Sequence, residues 1–491
     1  MVLELNKSII DKLDRLIADE MAKMKISGLS FAIIKHGKIA YKQGFGAKNL
    51  DKNLPADENT IYNIASTTKS FICTAIMILV DEGKLKVTDP VKNYIPLELG
   101  TDSNPITIKH LMNHTSGIPD LSNDTFSYNM AKEELIIPAN AKLVPMSSEG
   151  DFFRVINNSR EFSHEIDEYF HYNNYAYAML GMIITKVTGE DYREFIKERI
   201  FLPLQMTSTT FFPEELKDNE NLTQGYHVNP KDKGGNTRKI GIFENRWEFM
   251  AAGGIYSCVK DMAVYMMMHI DGGTYKDVTI ISKASSNEMQ KNSIKPGTMA
   301  EKVLSNNVPQ KSMGYGYGFF TNSDFYGLYM VGHGGNMFGG TADFSFIPSL
   351  NIGIIALANN LLGPRPIIGS ILAMIAGTPE EKIHFLVERK HFQRLNGIYE
   401  GFNETGRIKI SGEFASIMVQ SIDKHEFAIP PTVFFPNEKN TLTPMEFYTR
   451  NPGGAKFIVF FEDLKDDLWF NYERSRFRKI GKLFDFSPEK L

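Results

Sequence analysis

The sequence predicts an α/β (α+β) fold: an antiparallel sheet flanked by helices plus a helical subdomain, followed by a small all-β domain. Three observations carry this reading. Strand patterns sit at both ends of the first 380 or so residues. Helical patterns fill the interval between them. Beyond about residue 396 the chain changes to short alternating runs separated by turn residues. At 491 residues the chain is also too long for one ordinary core, so two or three domains are expected.

Residues 8–24 repeat Ile9, Leu13, Leu16, Ile17 and Met21 at helical spacing. Gly28 to Ile34 and Lys38 to Phe45 read as strands joined by His36-Gly37, a tight-turn pair. From about Ile61 to Trp247 the pattern is mainly helix and loop, clearest over 66–82, 106–113, 174–188 and 191–200. Residues 121–168 form an irregular polar stretch with Pro138 and Pro145, read as an insertion over one edge of the domain. Strands return after Gly253, at 316–321, 326–332, 341–347 and 352–358, before a helix at 366–376. A sheet built from both ends of a segment, with helices between, leaves a cleft as the default site.

The predicted domains are therefore 1–378, a charged linker helix over 379–395, and an all-β barrel or sandwich over 396–491. Its strands are Arg407-Ile-Lys-Ile, Ser416-Ile-Met-Val-Gln, Lys456-Phe-Ile-Val-Phe-Phe and Leu468-Trp-Phe-Asn-Tyr.

Lys and Arg number 54 against 58 Asp and Glu, a net charge of −4. No global basic field exists to attract nucleic acid or anionic lipid. The longest strongly apolar run, Phe71 to Val80, is too short to span a bilayer. Charge begins within the first residues, so no signal peptide is read and a cytoplasmic protein is expected. Cys73 and Cys258 form at most one disulfide, and Cys73, in an apolar run, reads as a buried inert thiol.

Ser66-Thr67-Thr68-Lys69 is a Ser-x-x-Lys sequence. The pattern recurs at Ser257/Lys260, Ser421/Lys424 and Ser487/Lys490, so context must separate the copies. Ser66 begins a helix that is apolar on nearly every side, through Phe71, Ile72, Ala75, Ile76, Leu79 and Val80. Such a helix is buried, and its start faces a partner or a cleft. Residues i and i+3 share a face, so the Lys69 amine reaches the Ser66 hydroxyl. Burial and the positive helix end both favour a deprotonated amine, able to take the serine proton. The plainer reading, a helix cap followed by a solvated lysine, is preferred for the other copies.

Tyr172-Asn173-Asn174 is a Tyr-x-Asn sequence, and a tyrosine beside an ammonium can serve as acid or base. Its plainer reading is an aromatic-rich helix start, since Tyr169, Phe170, Tyr175 and Tyr177 crowd it. His333-Gly334-Gly335 is a His-x-Gly sequence after a predicted strand, where glycines admit close approach of a ligand or another backbone. Its plainer reading is a hairpin or bulge.

Together, in this order, the three elements resemble those of class C β-lactamases, serine DD-peptidases, D-aminopeptidases and related esterases. Leu85 to Ile95, Ile106 to Pro119 with His114-Thr-Ser-Gly-Ile-Pro, Leu180-Gly-Met-Ile-Ile, Pro203-Leu-Gln-Met-Thr-Ser-Thr and Ala251-Ala-Gly-Gly-Ile-Tyr-Ser extend the resemblance over roughly 10–375. It implies that Ser66 attacks a carbonyl and forms an acyl-enzyme, with Lys69 and Tyr172 sharing the proton work. It implies that Asn174, His333, Gly334 and Gly335 bind substrate, and that backbone N–H groups of Ser66 and Asn336 form the oxyanion hole. It implies neither cofactor nor metal. His333 departs from the Lys-Thr-Gly of typical β-lactamases of this group. A histidine need not be charged at neutral pH, which turns the reading from β-lactams toward peptides, amides and esters, especially those with D-amino acids.

His110 and His114 stand four apart but bring no third ligand, Tyr265-Met-Met-Met-His reads as core, and there is no Walker glycine loop. The function the resemblance implies is a serine hydrolase acting on peptide or amide bonds, a D-amino-acid-processing peptidase first, with a carboxylesterase or weak β-lactamase and a catalytically silent penicillin-binding or scaffold protein as alternatives. The tail is left with three roles: binding a ligand, gating the cleft or building a homo-oligomer. Gly397-Ile-Tyr-Glu-Gly resembles the opening of lipocalin-like barrels fused to some peptidases of the same family.

Overall fold

The structure, a computed structural model, describes residues 2–120, 148–159, 162–163, 165–228, 237–240, 247–295, 298, 312–337, 339–360, 363, 365–401, 407–413, 416–422, 431–437, 443–451, 454–462, 467–472 and 475–481. The chain divides into two compact units, the first running to Ala376 and the second from Gly377.

The first unit is built on strands β1 (Gly28–Lys35), β2 (Lys38–Asn49), β3 (Leu54–Pro55), β4 (Met313–Tyr315), β5 (Phe320–Phe325), β6 (Leu328–Met337), β7 (Gly340–Ile347) and β8 (Ile352–Ala358). They form one sheet in the order β4-β5-β6-β7-β8-β1-β2-β3, every pair antiparallel. The chain's start and its return thus meet at the β1–β8 pairing, Leu29 opposite Ala358 through Lys35 opposite Ile352. Gly28 to Ile34 are all buried, which a strand achieves only with both faces covered. The helices are α1 (Lys7–Met24), α2 (Thr68–Asp81), α3 (Ile108–Met112), α4 (Glu149–Asn157), α5 (Asn174–Thr188), α6 (Tyr192–Ile196), α7 (Trp247–Gly253), α8 (Val259–Ile270), α9 (Lys283–Gln290) and α10 (Arg365–Ile375). Helix α10 packs on α1, β7 and β8, and α8 packs on β1, β7 and β8.

The central helix α2 is buried from Thr68 to Leu79, as its all-round apolar pattern predicts. Phe71 stacks on Tyr265 with ring centroids 3.7 Å apart and meets Phe201 edge-on at 5.7 Å. Cys73 and Cys258 are both free and buried.

Several boundaries differ from the sequence reading. Ser66 lies in a 3₁₀ turn, Ala65–Thr67, one step before α2. The predicted strand 316–321 is broken, because Gly318 adopts φ 75° and Gly316 N–H bonds Phe319 O. The next strand begins at Leu328 and runs on through His333-Gly-Gly to Met337. The stretch 191–200 is α6 followed by a wide turn over Lys197–Phe201. The region read as mainly helical also holds short strand pairs, Tyr62–Asn63 with Tyr256–Ser257 and Gly225–Val228 with Thr237–Ile240. Within 121–168, residues 121–147, 160–161 and 164 lie outside the described residues. The remainder includes α4, which buries Phe152, Phe153 and Ile156 behind a Ser148 cap on Asp151 N–H.

The second unit is a closed antiparallel barrel of β9 (Gly397–Gly401), β10 (Arg407–Glu413), β11 (Ser416–Ser421), β12 (Thr432–Pro436), β13 (Glu446–Asn451), β14 (Gly454–Glu462), β15 (Leu468–Tyr472) and β16 (Ser475–Gly481). Pairing of β9 with β16 closes it. Ile408, Ile410, Ile417, Val419, Phe434, Ile458, Phe460 and Phe470 fill the interior. Strands β12, β13 and β16 were not legible as strands in the sequence. Helix α11 (His384–Leu395), read as a linker, buries Phe392 and Leu395 in that same core. Among the described residues no helix is long and apolar enough to cross a membrane.

Truncating Phe71 to Ala removes a ring wedged between two others at the centre of the first unit. It should cost about 3–5 kcal/mol of stability, read as a lowered urea midpoint with the wild-type slope.

Candidate active site

The turn before α2 is held tightly. Ala65 sits in the left-handed region at φ 46°, a conformation a non-glycine residue adopts only when its surroundings impose it. Asn63 imposes it: its Oδ1 accepts the Ala65 N–H at 2.8 Å, and its Nδ2 donates to Gly253 O at 3.3 Å. Strand β6 then lies directly on the turn. A Cβ on Gly335 would fall 2.2 Å from Ile64 O and 3.0 Å from the Ala65 methyl, so only glycine allows this approach.

Ser66 and Lys69 come together as the spacing predicts. Lys69 Nζ lies 3.1 Å from Ser66 Oγ, 2.8 Å from Asn174 Oδ1 and 2.9 Å from Ala252 O. The Lys69 side chain has no solvent exposure. Burial pushes its pKa down to about 7, opposed by the charge of Asp120. As an ammonium it donates to all three oxygens. As a neutral amine it keeps two donors for Asn174 and Ala252 and turns a lone pair to the Ser66 hydroxyl, which then donates. That geometry permits a proton to pass from the serine hydroxyl to a neutral amine.

Helix α5 delivers Asn174 as its first residue. Asn173 caps it, its Oδ1 accepting from Ala176 N–H at 2.9 Å and its Nδ2 donating to Ile118 O at 2.7 Å. Asn174 Nδ2 in turn donates to Asp120 Oδ2 at 3.3 Å. Tyr172 sets its ring 4.8 Å from Lys69 Nζ, a cation–π distance when the amine is charged. Ser66, Tyr172, Asn174 and Asn336 line one pocket of about 680 Å³, together with Asp120 and Glu165.

His333 is placed differently from the sequence reading, which set it on the wall facing substrate. It is buried among Tyr315, Phe320 and Tyr172 and is not part of the pocket lining. Both ring nitrogens are engaged. Nδ1 lies 2.6 Å from Gly334 O, which can only accept, so the proton is on Nδ1. Nε2 therefore accepts from the Tyr315 hydroxyl at 3.0 Å. Burial, helped by the Lys69 charge, lowers its pKa to about 3, so it is neutral at any ordinary pH. Gly334 and Gly335 also stand outside the pocket lining. Gly334 makes room for Arg365, whose guanidinium carbon would lie 2.7 Å from a Cβ there and whose NH2 donates to Gly335 O at 2.7 Å.

His110 and His114 serve structure. His110 Nδ1 accepts from Thr107 N–H at 3.1 Å at the start of α3. His114 Nδ1 accepts from Asn173 N–H at 3.0 Å, and His114 O accepts from His171 N–H at 2.7 Å, so the His-Thr-Ser-Gly turn clamps the Tyr-x-Asn segment. Asp120, Ala252 and Tyr315 escaped the sequence reading. Asp120 directly follows the quoted His114–Pro119 stretch and Ala252 lies in the quoted Ala-Ala-Gly-Gly stretch, but a backbone carbonyl carries no residue-type signal. Nothing marked Tyr315.

Single-turnover acylation of Ser66 should rise with pH through about 7, as Lys69 loses its proton and becomes a base. Asp120→Asn removes the charge that holds this proton on, so the rising limb should move to lower pH. A limb that stays in place would mean that Lys69 is not the titrating group.

Comparisons with known proteins agree with this architecture. A family model described as beta-lactamase matches residues 13–370, and one described as Pab87 octamerisation domain matches 379–478. Protein flp of Staphylococcus aureus (strain MW2) is 29% identical over 354 residues, 71% of this chain and 62% of that protein, so the chain spans under two thirds of that relative's length. Penicillin-binding protein 4* of Bacillus subtilis is 32% identical over 180 residues, 37% of each chain. The structure of the octameric penicillin-binding protein homologue from Pyrococcus abyssi superposes with a TM-score of 0.77 at 29% identity, covering 96% of this chain and 100% of that one. With 13–370 inside one family model and a matching fold along nearly its whole length, the chain belongs to the beta-lactamase family and is homologous to penicillin-binding protein homologues.

Proposed function

We propose that this chain is a serine hydrolase that forms an acyl-enzyme on Ser66 and cleaves peptide or amide bonds, with D-aminoacyl substrates its preferred class. The observation that carries the reading is the unexposed Lys69 amine, 3.1 Å from Ser66 Oγ and poised near neutral pH. Neutral Lys69 takes the serine proton as Oγ attacks the carbonyl carbon. Backbone N–H groups of Ser66 and Asn336 receive the developing oxyanion, a pair of donors each worth roughly 3 kcal/mol. Tyr172 and Lys69 return the proton to the leaving amine, and water then releases the acyl group from Ser66. Asn174 keeps the amine in place and contacts the substrate amide.

The charge of the pocket supports an amine-bearing substrate. His333 is neutral and turned inward, whereas Asp120 and Glu165 put carboxylates on the wall. An anionic substrate meets like charge there, and a free N-terminal ammonium meets opposite charge. Esters share the same acyl chemistry and form the second substrate class. We propose further that the second unit assembles the chain into a homo-oligomer. Support comes from the octamerisation-domain match over 379–478 and from the octameric homologue.

A fluorophosphonate probe should label wild type and leave Ser66→Ala unlabelled, while Lys69→Ala slows labelling by about 10²–10⁴-fold. Equal labelling of Ser66→Ala would remove Ser66 as nucleophile. In a panel of D- and L-aminoacyl amides, short esters and a chromogenic cephalosporin, D-aminoacyl amides should turn over fastest and lose rate on N-acetylation. Indifference to acetylation would remove the ammonium from the reading.

A further inference from the structure

The barrel's strands alternate, as strands must, between interior and exterior. Ile417, Val419, Phe434, Phe447, Ile458 and Phe460 point inward and are buried. The residues between them point outward, and one apolar set among these runs across four adjacent strands. The register makes them neighbours. Met418 on β11 pairs with Val433 on β12. Phe435, two residues along the same face, pairs with Tyr448 on β13, and Tyr448 pairs with Phe457 on β14. One stripe results, with Met418 42%, Val433 43%, Phe435 52% and Phe457 47% exposed.

Other outward aromatics of the barrel are treated differently. Phe461 lies under the Arg476 guanidinium at 5.4 Å and Trp469 under that of Arg478 at 5.8 Å. There a charge faces the water and the ring is shielded. The stripe instead offers its apolar surface to solvent, which carries a hydration cost and marks a contact surface.

We infer that the Met418–Val433–Phe435–Tyr448–Phe457 stripe is the face through which the barrel docks on a second copy of this chain. The inference rests on the self-assembly proposed above and adds where it occurs. The four strands that carry the stripe lie inside the segment matched by the octamerisation-domain model. The barrel is closed, so no free strand edge offers backbone pairing, and the contact must be made by side chains across a face. A stripe of Phe, Tyr, Val and Met is complementary to itself, which suits a two-fold contact between identical barrels. A standard interface buries about 800 Å² per partner, so the stripe forms its apolar centre and neighbouring polar residues form the rim. A two-fold contact closes on two copies, so a larger particle needs a second contact elsewhere. Losing the stripe therefore leaves a smaller particle rather than necessarily single chains.

The test uses the full chain, with mass read by sedimentation over a range of concentrations. Wild type should sediment as a multimer. The double variant Phe435→Lys with Phe457→Lys should sediment as a smaller particle with Ser66 labelling retained. Ile480→Lys puts the same charge on another exposed apolar residue of the barrel, off the stripe, and should keep the wild-type mass. A folded double variant of wild-type mass would overturn the stripe as the interface and leave self-assembly standing. A wild type that remains a single chain throughout would overturn self-assembly, and the stripe with it. Should the lysine pair fail to fold, Phe435→Thr with Phe457→Thr keeps strand-forming residues and should weaken association at least about tenfold. Unchanged association in that pair overturns the inference.

Discussion

One buried amine organises the first unit. Taking an ammonium out of water costs several kcal/mol unless its donors are met. Lys69 is met by three oxygens rather than by a direct counter-ion. They come from three places: the turn before α2, the first residue of α5, and the end of α7. The amine is satisfied only when all three are in position, so the contacts that make its burial tolerable also assemble the reactive pair. Asn174 has a second effect. It accepts from Lys69 through Oδ1 and donates to Asp120 through Nδ2, standing between the amine and the carboxylate. A carboxylate directly on the amine would hold the proton there. With an amide between them, Asp120 pulls the pKa up only partly against burial, leaving it near 7.

A steric constraint complements this electrostatic one. The left-handed Ala65 costs about 1–3 kcal/mol, and it turns the chain so that Ser66 stands at the pocket. Strand β6 closes over that turn with no room for a side chain at Gly335. The sheet therefore does more than carry Asn336 to the pocket. It presses on the turn and keeps it in a conformation that the local sequence alone would leave.

This division explains what the sequence made legible. A helix apolar on all sides around Lys69 already says that its amine is desolvated, so the Ser66–Lys69 pair could be read from pattern alone. Tyr172 and Asn174 were readable through their order along the chain, and the α5 cap at Asn173 is an ordinary local signal. The β1–β8 pairing was implicit in strands at both ends of one segment. The place of His333 was not readable, because period-two alternation says that a side chain faces the helices but not how deeply neighbouring aromatics cover it. Tyr315 and Phe320 do that, from strands whose register only the fold supplies. Ala252 acts through its carbonyl, which any residue has. In the barrel, β12 hid because its outward positions, Val433 and Phe435, are apolar as well, which erases the polar–apolar alternation that signals a half-exposed strand.

The same aromatic burial keeps position 333 neutral. A charged residue at position 333 would offer an anionic substrate a fixed partner. Here the ring is neutral, its one proton on Nδ1 donated to Gly334 O and its Nε2 accepting from the Tyr315 hydroxyl. The Arg365 guanidinium is turned to Gly335 O from beyond the glycine strand. Asp120 and Glu165 are among the residues that line the pocket. Two unit charges about 4 Å apart near a protein surface interact by roughly 4 kcal/mol before screening, enough to separate ammonium from carboxylate by orders of magnitude. On the proposed chemistry, then, the acyl-transfer apparatus is general, and selection comes from charge: the residues that hide His333 and expose Asp120 determine which end of a peptide can approach Ser66.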